Sequence, residues 1–529
     1  MPRTLVAAKI ARTLAAVLAG ALLIAGCSIV DPPGDDQPIA SPTDTTSTSA
    51  SPSRPTTTPS TQPLSGHGIG KYYHQKVDWA DCDSGFLCAT VLVPLDYNRP
   101  EGRSITLSVV KRVADDQDAR EGSLLINPGG PGGSGVSYAE SADSVFDQTL
   151  LDHFDIIGFD PRGVGESTPI ECLGDAGLDR LLASDPDPDT PAEVTANEAL
   201  LKNFGQQCLK HSGALLGQVS TVEAAKDMDI LRALAGDDQI NYFGASYGTY
   251  LGATYANLFP QRVGRMVLDG AVDPALNPHQ AGLTQAKGFQ TALDAYVDDC
   301  IQQPDCPLGN DREAALQKIS ELLDQLDRHP LPGDGDRQLT EGLGLLGIIL
   351  PLYVKDYWPV LTQGLTQAFG GDGSILLALA DAYANRGPDG YKDNSDEVIY
   401  AVNCLDHPDT VSVGQVRRAI PAYQQAASVF GRVFAWMEYG CSQWPIKPKT
   451  QAAPMHATGA APILVVGTTR DPATPYKEAV ALASELDSGV LLSRDGDGHT
   501  AYGMGNSCID NTIDSYLVDG TVPPNGKMC

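Results

Sequence analysis

Short apolar runs and longer segments with helical periodicity alternate along most of the chain. The apolar runs predict strands at Ala89–Leu95, Thr106–Val113, Ser123–Ile126, Phe154–Phe159, Gln239–Phe243, Val263–Leu268, Pro462–Gly467 and Val490–Ser493. The periodic segments predict helices at 221–235, with Thr221 as its N-cap, at 249–258 and at 476–486. Because strands that alternate with helices form parallel sheets, we expect a mostly parallel sheet with helices on both faces.

The pattern changes between residues 275 and 455, where runs typical of buried strands are scarce. Periodicity there predicts helices at 279–301, 311–327, 374–386 and 411–438. We therefore expect a helical lid at 275–455. It would be inserted between a first part of the α/β core at 67–274 and a C-terminal part at 456–529.

The N-terminal segment has the features of an export signal. A basic front precedes an apolar run from Leu14 to Ala25, and Cys27 follows it after a small residue. We expect residues 1–26 to be a lipoprotein signal peptide, with Cys27 lipidated and the protein anchored on the outer face of the cell membrane. An ordinary signal peptide is the alternative, and the run is short for a transmembrane anchor. Residues 27–66, rich in Ser, Thr and Pro, predict an extended tether.

Composition narrows the possible functions. The chain has 529 residues, of which 42% are hydrophobic, so it can form a large core. Its formal net charge of −30, from 36 Lys+Arg against 66 Asp+Glu, would repel phosphates and argues against nucleic-acid binding.

The cysteines predict disulfides rather than a metal site. After Cys27 an even number of cysteines remains, and an exported protein would oxidise them. The simplest of the possible pairings joins neighbours in order: Cys82–Cys88, Cys172–Cys208, Cys300–Cys306, Cys404–Cys441 and Cys508–Cys529. Neither a C-x-x-C nor an H-E-x-x-H spacing occurs, so we predict no metal and no cofactor.

The sequence Gly244-Ala245-Ser246-Tyr247-Gly248 lies between a predicted strand and a predicted helix. This G-x-S-x-G context predicts a sharp turn that exposes the Ser246 hydroxyl at the carboxyl end of the sheet. An ordinary glycine turn is the alternative. As a nucleophile, Ser246 would need a base and an acid that follow it in the chain in the order Ser, Asp, His.

Asp471 and His499 follow two later predicted strands, and these two residues are our candidates for the acid and the base. The alternatives for the acid are Asp495 and Asp497, which share the loop of the histidine. The alternative base is His456, in an Ala/Pro-rich connector. Thr474 would either donate a hydrogen bond to Asp471 or cap the following helix.

An oxyanion hole requires two N–H donors. We predict that Tyr247 supplies one and Gly130, in the glycine-rich loop after the strand Ser123–Ile126, supplies the other. A phosphate-binding loop is the alternative for these glycines, but no Lys-Ser/Thr pair follows them.

Several motifs together resemble the tripeptidyl aminopeptidase branch of the α/β-hydrolases, secreted actinobacterial peptidases similar to prolyl aminopeptidases. The motifs are Val93-Pro94-Leu95-Asp96-Tyr97, Asn127-Pro128-Gly129-Gly130-Pro131-Gly132, Asp160-x-Arg162-Gly163-x-Gly165-x-Ser167, Gly244–Gly248, Asp471-Pro472-x-Thr474-Pro475 and Gly498-His499. The resemblance covers most of 78–529 and implies an α/β-hydrolase fold with cleavage from free peptide N-termini. Asn127-Pro128 departs from the histidine that prolyl aminopeptidases carry before the glycines.

An aminopeptidase must hold an ammonium group, so a carboxylate should project from the lid toward Ser246. The candidates are Glu397, Asp406 and Glu438, of which we favour Asp406. A solvated helix face is the alternative for each.

The sequence therefore favours an exported serine exopeptidase that releases short peptides. A carboxylester hydrolase of the cell envelope would use the same triad, and a non-catalytic peptide-binding lipoprotein is a third hypothesis. An epoxide hydrolase or dehalogenase is disfavoured, since those reactions require a carboxylate nucleophile where Ser246 stands.

Overall fold

A computed structural model describes residues 64–82, 85–407, 410–448 and 451–529. The predicted signal peptide, Cys27 and almost all of the predicted tether lie outside the described residues. Among the residues that are described, no helix is both long enough and apolar enough to cross a membrane.

One ten-stranded sheet organises the core, in the order β1-β2-β3-β5-β4-β6-β7-β12-β13-β14. Its strands are β1 (Ala80–Cys82), β2 (Phe86–Pro94), β3 (Ser104–Arg112), β4 (Gly122–Asn127), β5 (Phe154–Phe159), β6 (Ile240–Ala245), β7 (Val263–Asp269), β12 (Ile463–Arg470), β13 (Gly489–Asp497) and β14 (Lys527–Met528). β1, β2 and β3 pair antiparallel, and β3 pairs antiparallel with β5. From β5 to β14 every pairing is parallel.

Helices of the core cover both faces of this sheet. They are α1 (Gly70–Tyr73), α2 (Gly135–Glu140), α3 (Ala142–Val145), α4 (Gln148–His153), α5 (Asp175–Leu182), α6 (Pro191–Ser212), α7 (Thr221–Ala235), α8 (Tyr247–Leu258), α17 (Tyr476–Glu485) and α18 (Ser507–Asp519). Met228 of α7 and Leu251 of α8 pack in the core on one face. Leu150 of α4 and Ile513 of α18 pack on the other face. The predicted fold class is therefore confirmed.

Helices also fill the long interval between β7 and β12. They are α9 (Pro278–Cys300), α10 (Arg312–Arg328), α11 (Glu341–Ile349), α12 (Trp358–Phe369), α13 (Ser374–Tyr383), α14 (Ser395–Asp406), α15 (Val413–Ala426) and α16 (Gly431–Met437). The same interval contains two hairpins, β8 (Leu331–Pro332) with β9 (Gln338–Leu339) and β10 (Arg386–Gly387) with β11 (Gly390–Tyr391), and 3₁₀ turns at Leu350–Tyr353 and Lys355–Tyr357. Two further 3₁₀ turns, Gly213–Gly217 and Pro260–Arg262, belong to the core. We call the interval between β7 and β12, residues 270–462, the helical insertion. Most of its buried apolar residues form a second hydrophobic cluster, whereas Val398 and Val402 of α14 pack with the sheet core.

Three details of the predicted helices were wrong. The single helix expected at 411–438 is broken, because Gly431 packs so closely on Tyr423 that a Cβ there would lie 2.5 Å from the main-chain oxygen of Tyr423. The helix expected to reach 386 ends at Tyr383, where the chain enters a hairpin. The N-cap of α7 is Ser220, not Thr221. Thr221 is the first helical residue, and its hydroxyl donates to Asp406 at 2.5 Å.

The ten described cysteines form five disulfides. They join Cys82–Cys88, Cys172–Cys208, Cys300–Cys306, Cys404–Cys441 and Cys508–Cys529, which is the consecutive pairing predicted above.

A buried ion pair connects the loop after β5 with helix α7 and with the end of β2. Arg162 and Asp227 are both fully buried, and two guanidinium nitrogens donate to the two carboxylate oxygens at 2.7 Å. Arg162 also donates to the main-chain oxygens of Pro94 and Leu95, and the Tyr97 hydroxyl donates to Asp227 at 2.7 Å. Two of the sequence motifs, around Val93–Tyr97 and Asp160–Ser167, thus meet in one structural contact.

Candidate active site

Ser246 lies in the turn between β6 and α8, with φ 56° and ψ −127°. L-residues rarely adopt this conformation, so the surrounding chain must enforce it. The turn requires glycine on both sides. A Cβ on Gly244 would lie 2.4 Å from the main-chain oxygen of Gly248, and a Cβ on Gly248 would lie 2.8 Å from that of Asn127. The sequence therefore produces a tight strand–turn–helix that presents the serine.

The end of β7 connects Ser246 with two later loops. The N–H of Ser246 donates to the main-chain oxygen of Asp269 at 2.9 Å. At the next residue, a Cβ on Gly270 would lie 3.3 Å from Cε1 of His499 and 3.1 Å from Oγ1 of Thr474. Residues far apart in sequence thus meet at the carboxyl edge of the sheet.

His499 and Asp471 form a buried pair at this edge. Nδ1 of His499 lies 2.8 and 2.9 Å from the two carboxylate oxygens of Asp471, which is 2% exposed. The same carboxylate accepts the N–H groups of Ala473, Thr474 and Thr500 at 2.9–3.0 Å. These bonds fix the carboxylate and, through it, the orientation of the imidazole.

The free nitrogen and the basicity of His499 suit a general base. Within the described part of the chain, its Nε2 is buried and has no hydrogen-bond partner. Burial lowers the pKa of His499, but the charge and hydrogen bond of Asp471, with the charge of Asp269, outweigh it and raise the pKa above 6.5. An oriented imidazole with an unused nitrogen can accept and return a proton.

Two residues of this region were missed by the sequence analysis. One Asp269 carboxylate oxygen accepts the N–H groups of Ala501 and Tyr502 at 3.0 and 2.9 Å, which holds the chain after His499. Tyr353, from the helical insertion, accepts the His499 N–H through its main-chain oxygen, and its ring packs edge-on to the imidazole at 5.3 Å. The position of Asp269 directly after a predicted strand was the available signal; nothing marked Tyr353.

The glycine-rich loop after β4 reaches the serine turn. A Cβ on Gly129, whose φ is +101°, would lie 2.9 Å from Cβ of Ser246 and 3.0 Å from N of Tyr247. The N–H of Gly129 donates to Oδ1 of Asn127 at 3.0 Å, so the candidate donor is the next N–H, that of Gly130. Asn127, at the position where the sequence departs from prolyl aminopeptidases, therefore shapes this loop.

The alternative acids and base are engaged elsewhere. Asp495 and Asp497 both bind Arg470, at 2.9 and 2.5 Å. His456 is exposed, and its Nδ1 lies 3.1 Å from the main-chain oxygen of Glu485. Thr474 donates its N–H to Asp471, and its Oγ1 lies 3.4 Å from Nδ1 of His499.

The three candidate carboxylates for an ammonium group have different surroundings. Glu397 accepts two main-chain N–H groups, at Cys172 and Leu173. Asp406 accepts the N–H and hydroxyl of Thr221, and burial raises its pKa to about 7. Thr221 in turn contacts the Tyr247 hydroxyl.

Glu438 is bound by side chains rather than by the main chain. It accepts the Tyr423 hydroxyl and pairs with Nδ1 of His279 at 2.6 Å. His279 is 47% exposed, whereas Glu438 is 8% exposed. Glu438 therefore has a partner that is exposed to solvent.

Comparison with known proteins identifies the family. A family model described as TAP-like protein matches residues 427–529. Serine protease Hip1 of Mycobacterium tuberculosis is 40% identical over 484 residues, covering 86% of this chain and 91% of that protein. The chain belongs to the TAP-like family of α/β-hydrolases.

Two further relatives of this TAP-like protein bear different activity names. Tripeptidyl aminopeptidase of Streptomyces coelicolor is 31% identical over 471 residues, covering 86% of each chain. Carboxylesterase B of M. tuberculosis is 36% identical over 457 residues, covering 84% of this chain and 86% of that protein. Together with the fold, these relatives make the TAP-like chain a serine hydrolase of a peptidase-like family.

Proposed function

We propose that this protein is a serine aminopeptidase that releases short peptides, of tripeptidyl type, from free N-termini. Ser246 is the nucleophile, His499 the base and Asp471 the residue that orients the base. The observation that carries the proposal is the His499–Asp471 pair with its unused, buried Nε2 at the same sheet edge as the strained Ser246 turn.

In the proposed reaction, His499 removes the proton from Ser246 Oγ as this oxygen attacks the scissile carbonyl carbon. The N–H groups of Tyr247 and Gly130 stabilise the oxyanion that forms. His499 then protonates the leaving amine, and an acyl-enzyme remains on Ser246. Water, deprotonated by His499, hydrolyses this ester and restores the serine.

Glu438 is the proposed partner of the substrate ammonium, in place of Asp406. The carboxylates of Asp406 and Glu397 accept main-chain N–H groups and are 2% and 3% exposed, so each already has a structural role. Both His279, which pairs with Glu438, and Gln285 belong to α9, and Gln285 donates to the main-chain oxygen of Ala473 at 3.0 Å.

The spacing along α9 is consistent with a tripeptide. The helical rise puts His279 about 9 Å from Gln285 along the axis. Three extended residues span about 10 Å. A peptide whose ammonium lies at Glu438 could therefore present its third carbonyl near the Asp471 loop.

Glu438→Gln tests this part of the proposal. We expect KM for a free tripeptidyl anilide to rise at least about tenfold, because an ion pair is lost, with kcat nearly unchanged. KM for the N-acetylated anilide should stay as it is. Glu321→Gln, an exposed acid on α10, is the matched control. An unchanged KM in Glu438→Gln would remove Glu438 from the binding site.

A carboxylester hydrolase is the second candidate, because the relative named Carboxylesterase B is 36% identical and the same serine chemistry cleaves esters. The test compares tripeptidyl anilides with short nitrophenyl esters, beside Ser246→Ala. We expect both substrates to be cleaved and Ser246→Ala to be inactive. Hydrolysis of esters alone would favour the esterase, and activity in Ser246→Ala would contradict the mechanism.

We also propose export and a lipid anchor at Cys27. The support is the basic front, the apolar run and the small residue before the cysteine. In a bacterial host, the wild-type protein should be found in the membrane fraction, and Cys27→Ser should be released or remain unprocessed. An identical distribution of the two proteins would contradict lipidation.

A further inference from the structure

Three carboxylates from distant parts of the chain converge where a loop of the core meets the helical insertion. One carboxylate oxygen each of Asp185, Asp327 and Glu341 lies within 4.8 Å of the other two. Asp185 belongs to the loop between α5 and α6, Asp327 to the last turn of α10, and Glu341 begins α11. The cluster therefore joins a loop of the core to two helices of the insertion.

Glu341 distinguishes this cluster from ordinary surface acids. An acid in the first turn of a helix is common, but it is normally exposed to solvent. Glu341 is only 5% exposed, and within the described residues its Oε2 is buried and has no hydrogen-bond partner. A buried carboxylate oxygen without a donor is costly unless a cation or a proton satisfies it.

The helix and the loop approach each other closely at this point. A Cβ on Gly342 would lie 2.5 Å from the main-chain oxygens of Leu182 and of Ser184. The beginning of α11 is thereby pressed against the chain that carries Asp185. The loop is itself shaped locally, because Oδ1 of Asp185 accepts the N–H of Asp187 at 2.9 Å. The backbone contact between the start of α11 and the α5–α6 loop therefore brings Glu341 close to Asp185.

The arginine whose charge acts on Glu341 is already paired with other acids. Arg432 is paired with Asp187 at 3.0 Å and with Asp189 at 3.8 Å, two further acids of the same loop. Burial, followed by the charges of Asp187, Asp185 and Asp327, raises the pKa of Glu341 to about 9. Negative charge therefore exceeds positive charge around Glu341, which favours either a bound cation or a protonated carboxyl.

We propose that Asp185, Asp327 and Glu341 bind one Ca²⁺ ion. The three residues supply up to six hard oxygen ligands, and Ca²⁺ takes oxygens at 2.3–2.6 Å, so that ligands on opposite sides are about 5 Å apart. Oxygens within 4.8 Å of one another fit around such an ion. The ion would fasten the α5–α6 loop to α10 and α11. No sequence motif indicates this site, since Asp185 precedes the other two ligands by more than 140 positions, and the sequence predicted no metal.

The test titrates the EDTA-treated and dialysed protein with CaCl₂ in a calorimeter, at constant ionic strength. Wild type should bind one Ca²⁺ per chain. Asp327→Asn and Glu341→Gln should each weaken binding at least about tenfold, since each removes a charged ligand. Asp324→Asn, an exposed acid on the same helix, is the matched control and should bind as wild type. Because Asp327 is exposed, its substitution tests the site even if Glu341→Gln does not fold.

Thermal denaturation of the same proteins gives a second measurement. Saturating Ca²⁺ should raise the Tm of wild type and of Asp324→Asn by roughly 3 °C, and should raise that of Asp327→Asn much less. The competing explanation is a protonated Glu341. It predicts that wild type binds no stoichiometric Ca²⁺ and that Glu341→Gln is as stable as wild type. The absence of Ca²⁺ binding by wild type would by itself overturn the proposal. Equal binding by wild type and Asp327→Asn would also overturn it.

Discussion

The N–H of Ser246 donates to the main-chain oxygen of Asp269 at 2.9 Å. The side chain of the same aspartate holds the N–H groups of Ala501 and Tyr502, just after His499. Asp269, at the end of β7, therefore forms hydrogen bonds with both the serine turn and the loop that follows the histidine. Burial raises the pKa of the Asp269 carboxyl to about 6. When it is ionised, its negative charge raises the pKa of His499.

Asp269→Asn should lower the kinetic pKa of His499. One carboxylate oxygen accepts both N–H groups and the other has no partner among the described residues, so an amide can keep the bonds while removing the charge. The negative charge of Asp269 raises the pKa of His499, and the base acts in its neutral form. The acid limb of kcat/KM should move to lower pH by about 0.5–1 pH unit.

The pH profile of kcat/KM, measured on an anilide substrate, checks this prediction. Asp495→Asn is the control, since that carboxylate is exposed and already paired with Arg470. An acid limb that stays in place in Asp269→Asn would show that Asp269 acts only through the backbone.

Asp471→Asn should lower kcat by about four orders of magnitude, because the amide no longer favours the tautomer of His499 that can accept the serine proton. The measurement is kcat under saturating substrate, with Tm recorded to establish that the variant is folded. A loss of less than tenfold would mean that Asp471 does not orient the base.

Arg162→Met should destabilise the fold by about 3–5 kcal/mol, since it leaves the carboxylate of Asp227 buried and unpaired. Urea denaturation measures the change. The double variant Arg162→Met/Asp227→Leu should recover much of the loss, and Arg99→Met, at a residue that is 80% exposed, should change stability little. Equal loss in the single and double variants would contradict the ion-pair explanation.

Local patterns predicted much of this fold. Phe154–Phe159 was predicted with the bounds that β5 has, because a run of apolar residues between polar loops marks a strand buried on both faces. The strand–glycine–helix context of Ser246 and the strand-end positions of Asp471 and His499 were likewise visible, since each depends on the chain immediately before it.

Features that depend on tertiary contacts could not be predicted. The helices α11 and α12 were not predicted. Glu341–Ile349 is almost uniformly apolar, so it shows no alternation between an apolar and a polar face, and the apolar positions of Trp358–Phe369 gave no clear helical period. Tyr353 reaches His499 from more than a hundred residues away, and only the packed insertion brings them together. The break after Ala426 similarly arises from the packing of Gly431 on Tyr423.

The most direct test of the central claim is kcat/KM for a tripeptidyl anilide with a free N-terminus against the same anilide with the N-terminus acetylated. An aminopeptidase that pairs a carboxylate with the substrate ammonium should prefer the free substrate at least about 100-fold. Equal values for the two substrates, or cleavage of neither, would contradict the account.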